Sequence, residues 1–130
     1  MKRQPYAGVP AYRTKDGSEI RELMHPAVHG NRAQSLAEAT VPAGTRTILH
    51  LHHRTEELYH ITAGEGRMTL GAETFVVNVG DTVCIPPGTP HCIEAIGPET
   101  LRLLCCCSPA YSHEDTTLVE GEVSPAPNRY

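Results

Sequence analysis

Residues 44–64 read GTRTILHLHHRTEELYHITAG, and residues 80–91 read GDTVCIPPGTPH. In the first stretch His50 and His52 are one residue apart, and Glu57 follows five positions later. Side chains at i and i+2 of a strand point to the same face. The β-branched, alternating character of Thr47–His52 predicts an extended segment. Its two imidazoles then aim at one point. Glu57 opens the next apolar run, Leu58–Thr62, where an antiparallel return would set it opposite the pair. The second stretch adds His91 just after a proline–glycine turn. Three imidazoles and one carboxylate converging inside a small β domain make a metal site.

Turn signals recur at short intervals beyond this point: Gly64-Glu65-Gly66, Gly71-Ala72, Asn78 to Asp81, Pro86 to Pro90 and Gly97-Pro98. Between them lie the apolar runs Arg67–Leu70, Thr74–Val77, Thr82–Ile85, Cys92–Ala95 and Leu101–Cys107. Many short strands without a long helical period predict an all-β sandwich or barrel. Upstream, Ala33–Val41 reads as a strand, and Pro42-Ala43-Gly44 turns the chain into the first histidine strand. Ser18–His25 could set Ile20, Leu23 and Met24 on one helical face. It is short, however, and Pro26 follows at once, so a strand or extended segment is expected. Residues 1–17, with Pro5, Gly8, Pro10 and Asp16-Gly17, read as an extended arm. The division expected is an arm over 1–33, a barrel over 34–107 and a polar, proline-rich tail over 108–130 that crosses the barrel surface.

The two motifs match a family. Gly44, His50, His52, Glu57 and Gly64 stand at the spacing of the first cupin motif, and Gly80, Pro86, Gly88 and His91 at that of the second. The chain therefore resembles the cupin superfamily over about Ser35 to Cys107. It departs at Ala95, where a cupin usually carries an asparagine that is not a ligand. The resemblance implies a double-stranded β-helix, or jelly-roll barrel, in a small single-domain protein that binds one divalent metal and dimerises. It also implies that His50, His52, Glu57 and His91 are the ligands. The fifteen residues between Gly64 and Gly80 leave no room for a large inserted lid.

Strand parity sorts the neighbouring residues. Glu57, Tyr59 and Ile61 share a face; Glu56, Leu58 and His60 share the other, so Glu56 and His60 are expected to face solvent. His53 must point away from the pair. Arg102 sends Leu104 and Cys106 outward with it, and Leu101, Leu103, Cys105 and Cys107 inward. Ile93 and Ala95 continue the His91 face as an apolar wall. Parity leaves one strand open: either Gln34, Leu36 and Glu38 or Ser35, Ala37, Ala39 and Val41 face the pocket. His25, His29 and His113 lie outside both motifs.

A net charge of -4 with scattered Lys and Arg excludes a basic face for nucleic acid. No run has the apolar length of a membrane span, and the N-terminus MKRQPYAGVPAY lacks an apolar signal core. A cytoplasmic protein is expected. Five cysteines, three of them consecutive at Cys105–Cys107, make no disulfide framework and read as small apolar fillers.

Nitrogen and carboxylate ligands without thiolate suit Fe, Mn, Ni, Zn or Cu, with Fe or Mn favoured. Among cupins such a centre serves dioxygenation, decarboxylation or isomerisation. The leading expectation is an enzyme acting on a small oxygenated organic acid or a sugar-like molecule, with no catalytic residue assigned beyond the ligands. Arg46, Arg54 and Arg67 are dispersed, so a phosphosugar is unsupported. The competing expectation is a non-catalytic module that binds or senses a small molecule around a structural metal, and a third is a metal-free interaction domain. The extended arm is expected to take part in a homodimer by exchange across a two-fold axis.

Overall fold

The computed structural model describes residues 2–120. Among the described residues, eleven strands form two antiparallel sheets that face one another. The first sheet runs β1 (Ala11–Arg13), β2 (Glu19–Met24), β3 (Ser35–Val41), β10 (Leu101–Ser108), β5 (Glu56–Ala63) and β8 (Thr82–Ile85) in spatial order. The second runs β11 (Thr116–Leu118), β4 (His50–His52), β9 (His91–Ala95), β6 (Gly66–Leu70) and β7 (Glu73–Val77). This is the all-β sandwich that the turn spacing predicts and the jelly roll that the cupin resemblance implies. None of the helices among the described residues is long and apolar enough to cross a membrane.

Period-two patterning builds the core. Along β10, Leu101, Leu103, Cys105 and Cys107 are buried while Arg102 is exposed. Along β5, Glu57, Tyr59 and Ile61 are buried while Glu56, Leu58 and His60 are exposed. The register sets Leu103 opposite Ile61 and Cys107 opposite Glu57, so the two inward faces coincide. Ile61, Met68, Ile85, Ile93, Leu101 and Leu103 are fully buried between the sheets. Each such side chain contributes about 1.5–3 kcal/mol by leaving water. On β3, where parity left two options, Ser35, Ala37, Ala39 and Val41 face in. Glu38 faces out, where its Oε1 accepts a 2.6 Å hydrogen bond from the Tyr6 hydroxyl.

Two local departures from the sequence reading have clear causes. The strand expected over Thr47–His52 is regular only over His50–His52. The amide of Thr47 donates to Ile93 O and that of Ile48 to Asp16 O, two different segments that cannot form one ladder. After β2, Pro26 does end the strand, but residues Pro26–His29 close one helical turn, α1. His25 caps it by accepting from the Ala27 amide, and Gly30, at φ 75°, stops it.

The arm and tail are part of the sandwich. β2 pairs with β3, and β1 with β2. The tail adds β11 beside β4, with Thr116 opposite His52 and Leu118 opposite His50. Asp115 caps the loop before β5 by accepting from the amides of Arg54 and Thr55. The end of the expected tail, from residue 121, lies outside the described residues.

Gly64 ends β5 at φ 79°, and a Cβ there would sit 2.7 Å from the carbonyl oxygen of Thr100. A side chain would face both the left-handed backbone penalty and a backbone clash. Gly64→Ala is expected to cost more than about 2 kcal/mol in unfolding free energy, measured by urea denaturation.

Candidate metal centre

Each histidine is held by its outer ring nitrogen. On β4 and β9, His50 and His91 are directly opposed, with ring centroids 4.2 Å apart. His52 stands two residues along β4, its centroid 5.3 Å from that of His91. Nδ1 of His50 donates to Ile48 O at 2.7 Å, and Nδ1 of His91 to Thr89 O at 2.9 Å. The Thr116 hydroxyl donates to Ser112 O, so it accepts from Nδ1–H of His52, also at 2.9 Å. With Nδ1 committed in all three rings, Nε2 is the atom left to face the interior. One ring nitrogen of each histidine lies within 4.8 Å of the other two, and all three residues are buried.

The carboxylate comes from the opposite sheet. An antiparallel return beside β4 was the expectation; instead β4 and β5 lie in different sheets, and Glu57 reaches across the interior. Its Oε1 is 3.1 Å from His52 Nε2 and 3.4 Å from His91 Nε2, and its Oε2 accepts from the Cys107 thiol at 3.2 Å. Burial opposes the charge on Glu57, but the hydrogen bond from His52 and the nearness of the His91 ring outweigh it and hold its carboxyl well below the usual carboxylate range. Burial likewise opposes charge on His52, and Glu57 again outweighs it, raising that imidazole above its ordinary value.

A second carboxylate stands at the site. Asp16, in the turn between β1 and β2, places Oδ2 3.4 Å from His50 Nε2. The Asp16-Gly17 pair reads as a turn in the sequence, but nothing in the chain links that turn to residue 50. The tail supplies two more groups that the sequence reading left outside the barrel. Thr116 orients His52, and Tyr111 meets the His52 ring edge-on, 5.9 Å between centroids. Lys15, beside Asp16, donates to Thr116 O and His113 O and so ties arm to tail over the site.

These groups open onto a cavity of about 40 Å³ between the sheets. Its apolar wall includes Ile20, Val41, Ile93 and Leu103, and its polar end holds Asp16, Glu57, His50 and His52. Cys105 and Cys107, sent inward by the parity of β10, line it. Burial, reinforced by the charge of Glu57, pushes both thiols and the Tyr59 phenol well up, so they keep their protons at neutral pH. His53 and His60 point outward, to the Thr117 and Thr82 hydroxyls. His25 lies away from the cluster, with Nε2 2.7 Å from Tyr111 O.

A divalent ion fits this donor set. His91 Nε2 is fully buried and has no hydrogen-bond partner. Such an atom costs free energy unless something polar meets it. Three neutral imidazole nitrogens and a carboxylate oxygen suit a first-row transition metal.

Residues 37–107 match the cupin domain family, and the chain belongs to it. It is 55% identical over 115 residues to the uncharacterized protein MJ1618 of Methanocaldococcus jannaschii, covering 88% of this chain and 92% of that one. It is 29% identical over 86 residues to the oxalate-binding protein of Thermotoga maritima, covering 66% of this chain and 71% of that one. The structure of oxalate decarboxylase from Bacillus subtilis aligns with a TM-score of 0.77 over 92% of this chain at 21% identity. This chain spans 32% of that enzyme's chain, and the likeness is one of fold.

His52→Ala and Glu57→Ala should each lose bound metal in elemental analysis of the purified protein, whereas His53→Ala keeps it. Metal retained equally by all three would defeat the ligand assignment. Loading should also depend on pH with a definite sign. A metal on His52 must displace the proton that Glu57 stabilises there, so affinity rises with pH through the imidazole range and uptake releases protons. Calorimetry in buffers of different ionisation heat reads that release directly.

Proposed function

We propose that this cupin holds one divalent transition metal, iron or manganese, on His50, His52, His91 and Glu57, and works as an enzyme on a small organic acid. The convergence of three buried ring nitrogens beside a small cavity carries this reading. When bound, the ion supplies a Lewis acid that polarises a substrate oxygen.

The cavity sets the size and character of the substrate. A water takes about 10–15 Å³ on this measure, so the space suits a molecule of only a few heavy atoms beside the ion. No Lys or Arg lines it among the described residues, which leaves a phosphate without a partner. A carboxylate would instead be drawn to the metal. The protonated Cys105 thiol also lines the cavity, and the apolar wall excludes water. One relative carries oxalate in its name, which supports a small carboxylic acid. Decarboxylation, dioxygenation and isomerisation are the reaction types such a centre serves. The name of the Thermotoga relative, a binding protein, also supports the second reading, a non-catalytic binder with a structural metal.

The cytoplasm is the proposed location and a homodimer the proposed assembly. The outer face of the first sheet supports the latter: Leu36, Cys106, Leu58 and Cys84 lie in one row across four strands, at least partly exposed. Protein purified with its native metal is tested for oxygen uptake and product formation on dicarboxylic acids, keto acids, diketones and sugars. Turnover of at least one acid, abolished in His91→Ala, is expected. Thermal stabilisation by an acid with no turnover of any compound would favour the binder.

A further inference from the structure

We propose that Asp16 is a fifth protein ligand of the metal, beside His50. The inference rests on the metal reading above and adds a residue outside both histidine motifs, from the turn between β1 and β2.

Asp16 is built as a one-oxygen ligand. Its Oδ1 is saturated: it accepts from the Thr14 hydroxyl at 2.6 Å, the Ser18 amide at 2.9 Å and the Ser18 hydroxyl at 2.6 Å. That leaves Oδ2 directed at His50 Nε2, 3.4 Å away. Glu57 is arranged in the same way, with Oε2 taken by the Cys107 thiol and Oε1 turned to His52 and His91. Each carboxylate thus has one oxygen fixed by the protein and the other at the inner nitrogens. The backbone ties Asp16 to the same frame: Asp16 O accepts from the Ile48 amide, and Ile48 O anchors His50 Nδ1.

Charge balance points the same way. The Asp16 side chain is only 12% exposed and Glu57 only 6%. Glu22 also lines the cavity, but no lysine or arginine does among the described residues, so the compensating positive charge has to come from the site itself. A divalent ion held by the histidines would supply two unit charges beside both carboxylates. His91 Nε2, buried without a hydrogen-bond partner, is an independent sign that the centre is shaped around a cation.

With five protein ligands a bound ion would offer a substrate fewer open positions than with four, which deepens the functional reading toward reactions that need only one substrate oxygen on the metal.

The test compares the parent chain with Asp16→Asn and Ser18→Ala, using Mn(II) alone as the probe and a competing chelator to measure affinity. Asparagine keeps the Oδ1 acceptor of the turn but is a poor ligand. Ser18→Ala keeps the carboxylate and loses one of its donors. Asp16→Asn is expected to weaken Mn(II) binding at least about tenfold, while Ser18→Ala stays within a few-fold of the parent. The infrared difference spectrum on adding Mn(II) should show the carboxylate bands of two residues shifting in the parent and of one in Asp16→Asn. A parent that binds Mn(II), with Asp16→Asn equal to it in affinity and in spectrum, overturns the Asp16 assignment alone. A parent that takes up no Mn(II) overturns the metal reading and this inference with it.

Discussion

The anchoring of each imidazole by its outer nitrogen is the constraint on which the site depends. A histidine ring free to flip or to exchange its proton between nitrogens offers no fixed lone pair. Here Ile48 O, Thr89 O and the Thr116 hydroxyl each accept from Nδ1, which sets the tautomer and turns Nε2 inward. Two of those anchors are carbonyls two residues before the histidine they hold, so a short local loop fixes the ring. The third lies 64 residues away and depends on the whole sandwich closing.

Everything around the three rings serves to hold charge in a place that water scarcely reaches. Glu57 and Asp16 come from the first sheet's side of the molecule and the histidines from the second, so the site exists only where the two sheets face each other. The interior that surrounds it is close-packed by β5 and β10, whose inward residues coincide in register. Cys107 belongs to that packing and also steadies Glu57. Burial keeps it a thiol, and a thiol donates where a thiolate would repel.

The local chemistry of the site was open to reading because it sits in two short motifs. Strand parity is a local rule, and it sorts His50 and His52 from His53, Glu57 from Glu56, and Cys105 and Cys107 from Cys106. It failed to choose a face for Ser35–Val41, because Glu38 on one face and Ser35 on the other made either a plausible interior. Register decided that strand: Ala37 and Ala39 stand opposite Cys105 and Leu103, the inward residues of β10.

The sequence by itself determined an all-β fold, three inward imidazoles and an inward glutamate, since each follows from alternation and turn chemistry within a few residues. Tertiary structure alone decided that Glu57 faces the histidines across the sandwich rather than along a shared sheet. It alone brought Asp16, Tyr111 and Thr116 to the same place. Those residues lie in segments whose composition reads as arm and tail, and their contacts span 34 to 64 residues of chain. Proximity over such separations is set by strand pairing and closure of the two sheets, and no periodicity in the intervening residues encodes it.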